Sequence, residues 1–426
     1  MTLGGGDAPV SRSRANYVLA ILVIVYVFNF VDRQILSILL QPIKDELQVS
    51  DTAMGFLTGF AFALFYTFAG IPIARWSDRG TRRTIIAIGL AVWSAMTAAS
   101  GLARSFVQLA IARVGVGVGE AAASPAAHSM ISDLYPPERR ATALAIYTMG
   151  ANLGILLGMI LGGWLNELFN WRVAFFVVGL PGLAMALIVR FTVPEPPRGQ
   201  SEGAAATAGD LPSTGEVFEY MWGMRSFRHV SGAAALYAFA GYGFTIWAPT
   251  FLIRVHGMST GEVGTWFGLI AGIGGAAGAL LGGALCDRLG ARDARWTMWV
   301  PAIGAVLGIP PLVAFLLWPT AMGALLFYIP AIVFSAFYVG PTFSTTQTLA
   351  KLRMRALASA FILFVINLVG LGLGPQMVGI LNDVLAGSFD DEAIRYSLLI
   401  VAVTNLWGVV HSLLAARTLR ADLEAG

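Results

Sequence analysis

Twelve long apolar runs divide the chain of 426 residues, and no other feature constrains its fold as strongly. A helix that crosses a membrane needs ~20 mostly apolar residues. Only 12% of the residues are charged, whereas soluble domains carry ~25%. The runs occupy residues 16–40, 53–76, 84–103, 107–132, 141–165, 172–193, 230–253, 262–286, 296–317, 321–349, 357–385 and 394–416. The sequence therefore predicts an all-α membrane protein with twelve transmembrane helices.

Basic residues are distributed unequally between the two sides of the predicted membrane. Twenty of the 27 lysines and arginines fall on the side of both termini, five fall on the opposite side, and Arg33 and Arg113 lie inside spans. Because basic residues are enriched in cytoplasmic loops, we predict that both termini are cytoplasmic. The short loops favour a multi-pass protein of a bacterial inner membrane. Nucleic-acid binding is not expected despite an isoelectric point near 9.1, since the charges are spread over these loops.

A short sequence motif is repeated in the two halves of the chain. An Asp-Arg pair follows the second span at Asp78, and another follows the eighth span at Asp287, 209 positions later. Duplicated units of six spans are typical of two-bundle transporters. We predict an N-terminal six-helix bundle at 1–193 and a C-terminal six-helix bundle at 229–426. The segment 194–228 between them is predicted to be a flexible cytoplasmic linker with an amphipathic piece.

Four charged residues lie away from the ends of the apolar runs of the first half, namely Asp32 and Arg33 in span one and Arg113 and Glu120 in span four. A charge at the middle of a membrane helix costs ~2.5–3.5 kcal/mol on insertion scales, and such residues usually face a bundle interior. Adjacent helix positions point ~100° apart, so Asp32 and Arg33 are predicted to have different partners. Arg113 and Glu120 lie nearly two turns apart on one face, placed to line one cavity. The alternative is an ion pair that only fixes helix packing.

Asp32 and Glu120 are the predicted proton-coupling residues. Removal of a carboxyl group from water favours its neutral form, whereas a nearby arginine favours the charged form. A site that alternates between these conditions takes up a proton on one side of the membrane and releases it on the other. The alternative for Glu120 is a fixed structural partner for Arg33 or Arg113.

Several motifs resemble those of a known family. The loop from Gly283 to Arg292 fits the major facilitator signature Gly-x-x-x-Asp-Arg-x-Gly-x-Arg. The first copy departs from it, with Ala74 in place of the first glycine and Gly80 one position early. Within that superfamily, three segments resemble the spinster family: Asn29-Phe30-Val31-Asp32-Arg33, the run from Arg113 to Glu120, and Ser132-Asp133-Leu134-Tyr135-Pro136.

The resemblance implies the major facilitator fold, with two six-helix bundles around a central cavity and rocking alternating access. The spinster pattern also places acids at the positions of Asp32 and Glu120, in agreement with their predicted role. From the animal members of the family, the implied substrates are lysolipids, including sphingosine-1-phosphate.

Membrane-embedded charge is confined to the first half, since the central parts of spans seven to twelve contain no Asp, Glu, Lys or Arg. This asymmetry favours an amphiphilic substrate over a sugar or a dicarboxylate. We predict that Arg33 and Arg113 bind its head group, because a planar guanidinium donates two hydrogen bonds to a phosphate. The residues predicted to contact its apolar tail are Tyr242, Phe244, Trp247, Phe337 and Phe343. Lipid-facing or core packing is the alternative for each of these rings.

The duplicated loops are predicted to act in gating. Asp78 and Asp287 are placed to cap helices or to pair with basic neighbours. Together with Arg82, Arg139 and Arg288 they are predicted to form a latch that stabilises the outward-open state. Plain orientation charge is the competing interpretation of the arginines. Glycines spaced four apart in spans five and eight predict close helix packing and a sliding seam between the two halves.

Other functional classes find little support in the sequence. The single Cys286 excludes an internal disulfide, and no Cys/His cluster predicts a metal or another cofactor. No span carries a Ser/His/Asp set or an HExxH motif, so an enzyme is not expected. The sequence predicts a monomeric, proton-coupled transporter of a lysolipid-like molecule. The alternatives are a proton-coupled exporter of small organic anions or drugs and a lipid scramblase.

Overall fold

The computed structural model describes residues 11–198 and 212–425, and this part of the chain is helical with no β-strand. Its α-helices are α1 (Arg12–Ile38), α2 (Leu40–Leu47), α3 (Asp51–Gly55), α4 (Ala61–Arg79), α5 (Arg82–Ser100), α6 (Phe106–Glu120), α7 (Ala123–Leu134), α8 (Pro137–Leu168), α9 (Trp171–Thr192), α10 (Thr214–Gly223), α11 (Arg225–His256), α12 (Thr260–Gly290), α13 (Trp296–Leu317), α14 (Ala321–Ser335), α15 (Val339–Leu349), α16 (Arg355–Val365), α17 (Gly374–Phe389) and α18 (Ala393–Ala425). A π-helical segment, Phe56–Phe60, joins α3 to α4, and another, Ile366–Leu373, joins α16 to α17. Short 3₁₀ turns occur at Ala336–Tyr338, Leu352–Met354 and Asp390–Glu392.

Eleven helical stretches in the described part of the chain are long and apolar enough to cross a membrane. The last of them, Arg355–Glu424, runs for 70 residues. It contains the predicted spans 357–385 and 394–416, which the 3₁₀ turn Asp390–Glu392 separates. The prediction of an all-α membrane protein with twelve spans is therefore confirmed.

Serine residues fix the starts of several helices. Ser50 Oγ accepts a hydrogen bond from the backbone of α3. Ser213 and Ser259 form full capping boxes with Glu216 and Glu262, at the starts of α10 and α12. These caps satisfy N–H groups that a helix leaves without internal partners.

Helix α10 lies within the predicted linker 194–228 and is amphipathic, as the sequence predicted. Val217 and Met221 are fully buried, on the face that packs on α11 and α16. Phe218 and Trp222 are exposed, and their rings stack 5.5 Å apart. Most of the segment that the sequence predicts to be flexible lies outside the described residues.

The described helices form two compact units. Among the described residues, unit 1 comprises 11–33, 65–155 and 172–198, and unit 2 comprises 34–64, 156–171 and 212–425. Because the boundary falls inside α1, α4 and α8, each of these helices contributes to both units. This division follows spatial contacts, and the predicted bundles 1–193 and 229–426 stay a prediction.

Glycines bring two pairs of helices into close contact. In α8, Gly154 lies against Phe30 of α1, where a Cβ atom would overlap that side chain. In α12, Gly264 and Gly268 lie against Met159 of α8. Spans five and eight correspond to α8 and α12, and the glycines of α12 supply the predicted close contact between these two spans. The glycines spaced four apart in α8 pack on α1 of their own half instead, so the prediction was wrong for them.

Candidate functional site

The four charged residues in the spans of the first half come together in unit 1. With one hydroxyl they form what we call the Asp32 cluster: Asp32, Arg33, Thr97, Arg113 and Glu120. Arg113 Nη1 donates to Asp32 Oδ1 over 3.0 Å, and Arg33 Nε donates to Glu120 Oε2 over 2.7 Å. The hydroxyl of Thr97 donates to Asp32 Oδ2. Asp32 and Arg113 are each 2% exposed and Glu120 is 1% exposed.

Helices α1 and α6 position the charges of this cluster. Asp32 and Arg33 are neighbours on α1 and point in different directions, so each meets a different residue. Arg113 and Glu120 lie seven residues apart on one face of α6, and each takes one partner from α1. The prediction that Asp32 and Arg33 have different partners is confirmed.

Gly119 allows α5 to approach α6 at the level of the cluster. A Cβ atom at this position would lie 2.7 Å from the backbone nitrogen of Trp93 and 2.9 Å from the carbonyl oxygen of Gly89. One turn after Trp93, the hydroxyl of Thr97 donates both to the Trp93 carbonyl oxygen and to Asp32. The glycine therefore helps to place a hydroxyl donor beside a buried carboxylate. Thr97 was not among the predicted site residues, because its only signal in the sequence is a polar side chain in an apolar span.

The Asp32 cluster balances two carboxylates against two guanidinium groups at positions that are almost closed to water. Buried charges are tolerated when they are paired and hydrogen-bonded. One oxygen, Glu120 Oε1, is buried and has no hydrogen-bond partner in the described part of the chain. Such an oxygen is a ready position for a proton, and protonation weakens the ion pair that the other oxygen makes with Arg33.

Arg33 is the most accessible of the four charges, with 16% of its side chain exposed. Its guanidinium carbon lies 4.9 Å from the ring centre of Tyr66 and 5.2 Å from that of Phe30. Aromatic faces attract a cation at these distances. The ring of Tyr26 stacks on Tyr147 at 4.4 Å in the same unit. Unit 1 thus places an accessible cation beside several aromatic faces.

The aromatic residues predicted to contact a substrate tail lie in unit 2 and differ in access. Three are buried within its helix packing, namely Phe244, Trp247 and Phe337. The indole nitrogen of Trp247 donates to the carbonyl oxygen of Pro375 over 2.9 Å. Tyr242 and Phe343 are only half-buried at the edge of the core. These two are the rings with surface left for a ligand.

Arg82, one of the predicted gating residues, is fully buried in unit 1. Its Nε donates to Glu195 Oε1 over 2.8 Å, and its Nη2 donates to the carbonyl oxygen of Pro196 over 2.6 Å. Its Nη1 donates to Ser129 Oγ over 2.9 Å and also to Asp133. This Arg82 cluster joins the start of α5 to α7 and to the chain beyond α9. Its partners Asp133 and Glu195 were not predicted from the sequence.

Three of the other predicted gating residues have no such partners within the described part of the chain. Arg139, Asp287 and Arg288 are exposed, and none forms an ion pair or a side-chain hydrogen bond with another residue in the described ranges. The side chain of Asp78 lies outside the described residues. The latch therefore stays a prediction, and Arg82 is held by groups of its own unit.

A second charged cluster, which was not predicted from the sequence, lies in unit 2. The Asp51 cluster consists of Lys44, Asp51, Arg254, Asn382 and Asp383. Arg254 donates two hydrogen bonds to the Asp51 carboxylate, over 2.5 Å and 2.7 Å, and Lys44 Nζ lies 2.6 Å from it. Asn382 Nδ2 donates to Asp51 over 2.9 Å, and Asp383 accepts from the Asp51 backbone over 3.0 Å. The only signal was that Lys44 and Arg254 are two of five basic residues on the sparsely charged side.

Neither cluster is arranged as a metal site. Within residues 11–198 and 212–425, no three His, Cys, Asp or Glu side chains are grouped closely enough to hold a metal ion. Arginine and lysine side chains occupy the positions next to the carboxylates instead. The chemistry available here is proton transfer, ion pairing and the binding of anions.

Comparisons with known proteins agree with one another. The model of the Major Facilitator Superfamily matches residues 22–375. A crystal structure of a bacterial homologue of the human lysosomal transporter spinster, inward-facing and unoccupied, is similar with a TM-score of 0.90 and 32% identity, over 97% of this chain and 99% of that one. An MFS-type efflux pump of Mycolicibacterium smegmatis is 35% identical over 411 residues, 96% of this chain and 94% of the relative. Protein spinster homolog 3 of Danio rerio is 27% identical over 98% of this chain and 88% of the relative. The resemblance to spinster proteins is confirmed.

Proposed function

Since this chain belongs to the major facilitator superfamily, among its members of spinster type, we propose that it is a proton-coupled transporter of an amphiphilic, lysolipid-like molecule. Its fold and its relatives are those of membrane transporters and not of enzymes. The mechanism that we propose is alternating access, in which two openings exchange around a site within the membrane.

The Asp32 cluster is the observation that supports this proposal. Its two carboxylates are buried, each is bonded to an arginine, and one oxygen of Glu120 is left for a proton. A shift of the equilibrium between the two openings of a transporter from 1:99 to 99:1 takes ~5.5 kcal/mol of free energy. Loss of a partner from a buried ion pair costs about 3–5 kcal/mol. The free-energy change on protonation of two such carboxylates is therefore large enough for this shift. We assign proton coupling to Glu120 first and to Asp32 second.

Arg33 is the group that we propose for the substrate head group. Its partly exposed guanidinium lies beside the rings of Phe30 and Tyr66, and an arginine fork matches a phosphate. Arg113 is more deeply buried against Asp32, so it contributes after Asp32 is protonated. For the tail we propose Tyr242 and Phe343 as direct contacts. Phe244, Trp247 and Phe337 are buried in the helix packing of the same unit.

The charge distribution supports an orientation for this mechanism. With twenty basic residues on the side of the termini and five on the other, we place both termini in the cytoplasm, in a bacterial inner membrane. We also propose that the protein acts as a monomer. In the proposed orientation, the exposed side chains of Arg139, Asp287 and Arg288 lie at the cytoplasmic ends of helices. There they form the latch with Asp78 in the outward-open state, while Arg82 anchors the loop of unit 1.

Transport in proteoliposomes tests this proposal. We would impose a pH gradient and follow a fluorescent lysolipid in wild type, Glu120→Gln and Asp32→Asn, with Glu219→Gln as the matched control at an exposed site. We expect Glu120→Gln to lower gradient-driven transport about tenfold or more, because an amide takes up no proton, and the loss of coupling worth one pKa unit, ~1.4 kcal/mol, is already a factor of ten. Arg33→Ala should weaken lysolipid binding about tenfold, as expected for a lost charge-assisted hydrogen bond.

Two results would contradict the assignments. Unchanged gradient-driven transport in Glu120→Gln would remove its role as the coupling acid. Unaltered lysolipid affinity in both Arg33→Ala and Arg113→Ala would remove the head-group assignment. Loss of transport in Glu219→Gln would show that the assay responds to general damage.

Export of a small organic anion or a drug is the second candidate function. The similarity to an MFS-type efflux pump favours it, at 35% identity over 96% of this chain. Competition separates the two candidates, because soluble anions should displace the substrate in one case and lysolipids in the other. A scramblase is distinguished by lipid movement that does not respond to the pH gradient.

A further inference from the structure

Two of the four histidines of the chain face each other in unit 2, and we call them the histidine pair. His229 lies near the start of α11, and His411 lies in α18. Their Nδ1 atoms are 3.1 Å apart, whereas the centres of the two rings are 5.2 Å apart. Because the nitrogens are much closer than the ring centres, the two rings turn their Nδ1 edges toward each other.

Hydrogen bonds between α11 and α18 hold the backbone on both sides of the histidine pair. Asp422 accepts from the backbone nitrogen of Ser226 over 2.7 Å. Further along α11, the hydroxyls of Tyr237 and Ser412 form a buried hydrogen bond of 2.9 Å. Each histidine lies within three residues of one of these contacts. The relative position of the two helices is therefore fixed where the rings meet.

Gly232 provides the space that the ring of His411 occupies. It lies three residues after His229, on the same side of α11. A Cβ atom at Gly232 would come within 2.7 Å of His411 Nδ1 and 2.9 Å of its Cε1. The close approach of the two nitrogens thus depends on a residue without a side chain at this position.

The charge state of the histidine pair suits it to bind a metal ion. Two protonated rings would place two positive charges 3.1 Å apart, so at least one ring is neutral. A neutral imidazole nitrogen is a common ligand for Zn²⁺, Cu²⁺ and Ni²⁺. The neighbouring Arg228 is exposed, and water screens its charge.

The distance between the two nitrogens also fits metal coordination. Zn–N bonds of ~2.0–2.1 Å at the tetrahedral angle place two nitrogens ~3.3–3.4 Å apart. Adjacent positions of a square-planar Cu²⁺ site with similar bond lengths are ~2.8–3.0 Å apart. The observed 3.1 Å lies between these values, so small ring movements are enough for either ion. A hydrogen on one Nδ1 moves to Nε2 of the same ring when the metal binds, which leaves both Nδ1 lone pairs free.

We propose that the histidine pair is a binding site for a transition-metal ion of the Zn²⁺ or Cu²⁺ class, held by the two Nδ1 atoms. Both side chains are partly exposed, so water supplies the remaining ligands. With two protein ligands the site exchanges its ion, unlike a closed structural site with four. The bound ion joins α11 to α18 within unit 2. This inference goes beyond the proposed transport function and does not depend on it.

Titration calorimetry with Zn²⁺ tests the inference on the full chain in detergent, purified without a polyhistidine tag. We expect one Zn²⁺ per chain in wild type. His229→Gln and His411→Gln should each weaken Zn²⁺ binding about tenfold or more, because a single imidazole remains. His128→Gln and His256→Gln are the matched controls, since they remove the two histidines outside the pair. Their affinity for Zn²⁺ should equal that of wild type.

Cu²⁺ gives a second readout that needs no variant. Its electron paramagnetic resonance spectrum in wild type should show hyperfine coupling to two imidazole nitrogens. In addition, Zn²⁺ should raise the midpoint of thermal unfolding in wild type but not in the variant that carries both His229→Gln and His411→Gln, because an ion that binds only the folded chain stabilises it.

Three results would overturn the proposal. They are wild-type protein that binds no Zn²⁺, undiminished Zn²⁺ binding in the double variant, and a Cu²⁺ spectrum with fewer than two nitrogens. Each would leave the histidine pair as a hydrogen bond between helices. If the variants do not fold, the Cu²⁺ spectrum of wild type decides. These measurements use neither a substrate nor a pH gradient, so a failed metal site and a failed transport assignment are separate results.

Discussion

Arg79 and Arg82 belong to one basic loop but differ completely in their surroundings. Arg79 is exposed, whereas Arg82 is fully buried and donates to Glu195, Ser129 and Asp133 as well as to a backbone carbonyl. Loss of one member of a buried ion pair leaves the other members uncompensated. The position of the guanidinium, and not its charge alone, decides what each arginine does for stability.

We therefore predict that Arg82→Gln lowers the free energy of unfolding by about 3 kcal/mol. Arg79→Gln, the control in the same loop, should change it by less than about 0.5 kcal/mol. Thermal unfolding in detergent, followed by tryptophan fluorescence, measures both. Equal midpoints for the two variants would contradict the argument. Added salt should leave the difference nearly unchanged, because buried pairs are screened weakly.

At the scale of helices, the contact between α5 and α6 sets the geometry of the Asp32 cluster. Gly119 lies next to Glu120, and a Cβ atom there would come within 2.7 Å of the Trp93 backbone nitrogen. Since backbone atoms cannot yield as a flexible side chain does, we expect Gly119→Ala to push the helices apart. Overpacking of this kind costs about 1–3 kcal/mol. Gly283→Ala is the control, because a Cβ atom there meets nothing within 4 Å. A wild-type unfolding midpoint for Gly119→Ala would show that the helices adjust freely.

Hydropathy was sufficient to predict the helices, because a span must satisfy its own backbone hydrogen bonds in lipid. The helical period was also sufficient to predict that Asp32 and Arg33 have different partners. The Asp51 cluster was not predictable in this way. Asp51 and Arg254 lie at span ends, where single charges resemble orientation signals, and they are 203 positions apart. Only the tertiary structure brings such residues together.

For the whole molecule, the repeat of 209 positions predicted a duplicated architecture, and the serine caps of α3 and α12, Ser50 and Ser259, follow the same repeat. The division into two units was not predictable, since it cuts through α1, α4 and α8. Such a division depends on which helix ends are in contact in one conformation. A conformational property of this kind is not encoded in hydropathy, because the same spans serve every conformation.

If alternation is one two-state equilibrium, protonation of the Asp32 cluster and the exchange of the two openings are linked reciprocally. Arg33 is bonded to Glu120 in this structure, and a proton on Glu120 weakens that bond. The rate of transport should therefore depend on pH even without a gradient. We predict that lysolipid uptake into proteoliposomes with equal pH on both sides changes several-fold between about pH 8 and about pH 5. Glu120→Gln should reduce this dependence, and its combination with Asp32→Asn should abolish it. An uptake rate in wild type that does not change with pH would show that protonation of the cluster is not linked to alternation.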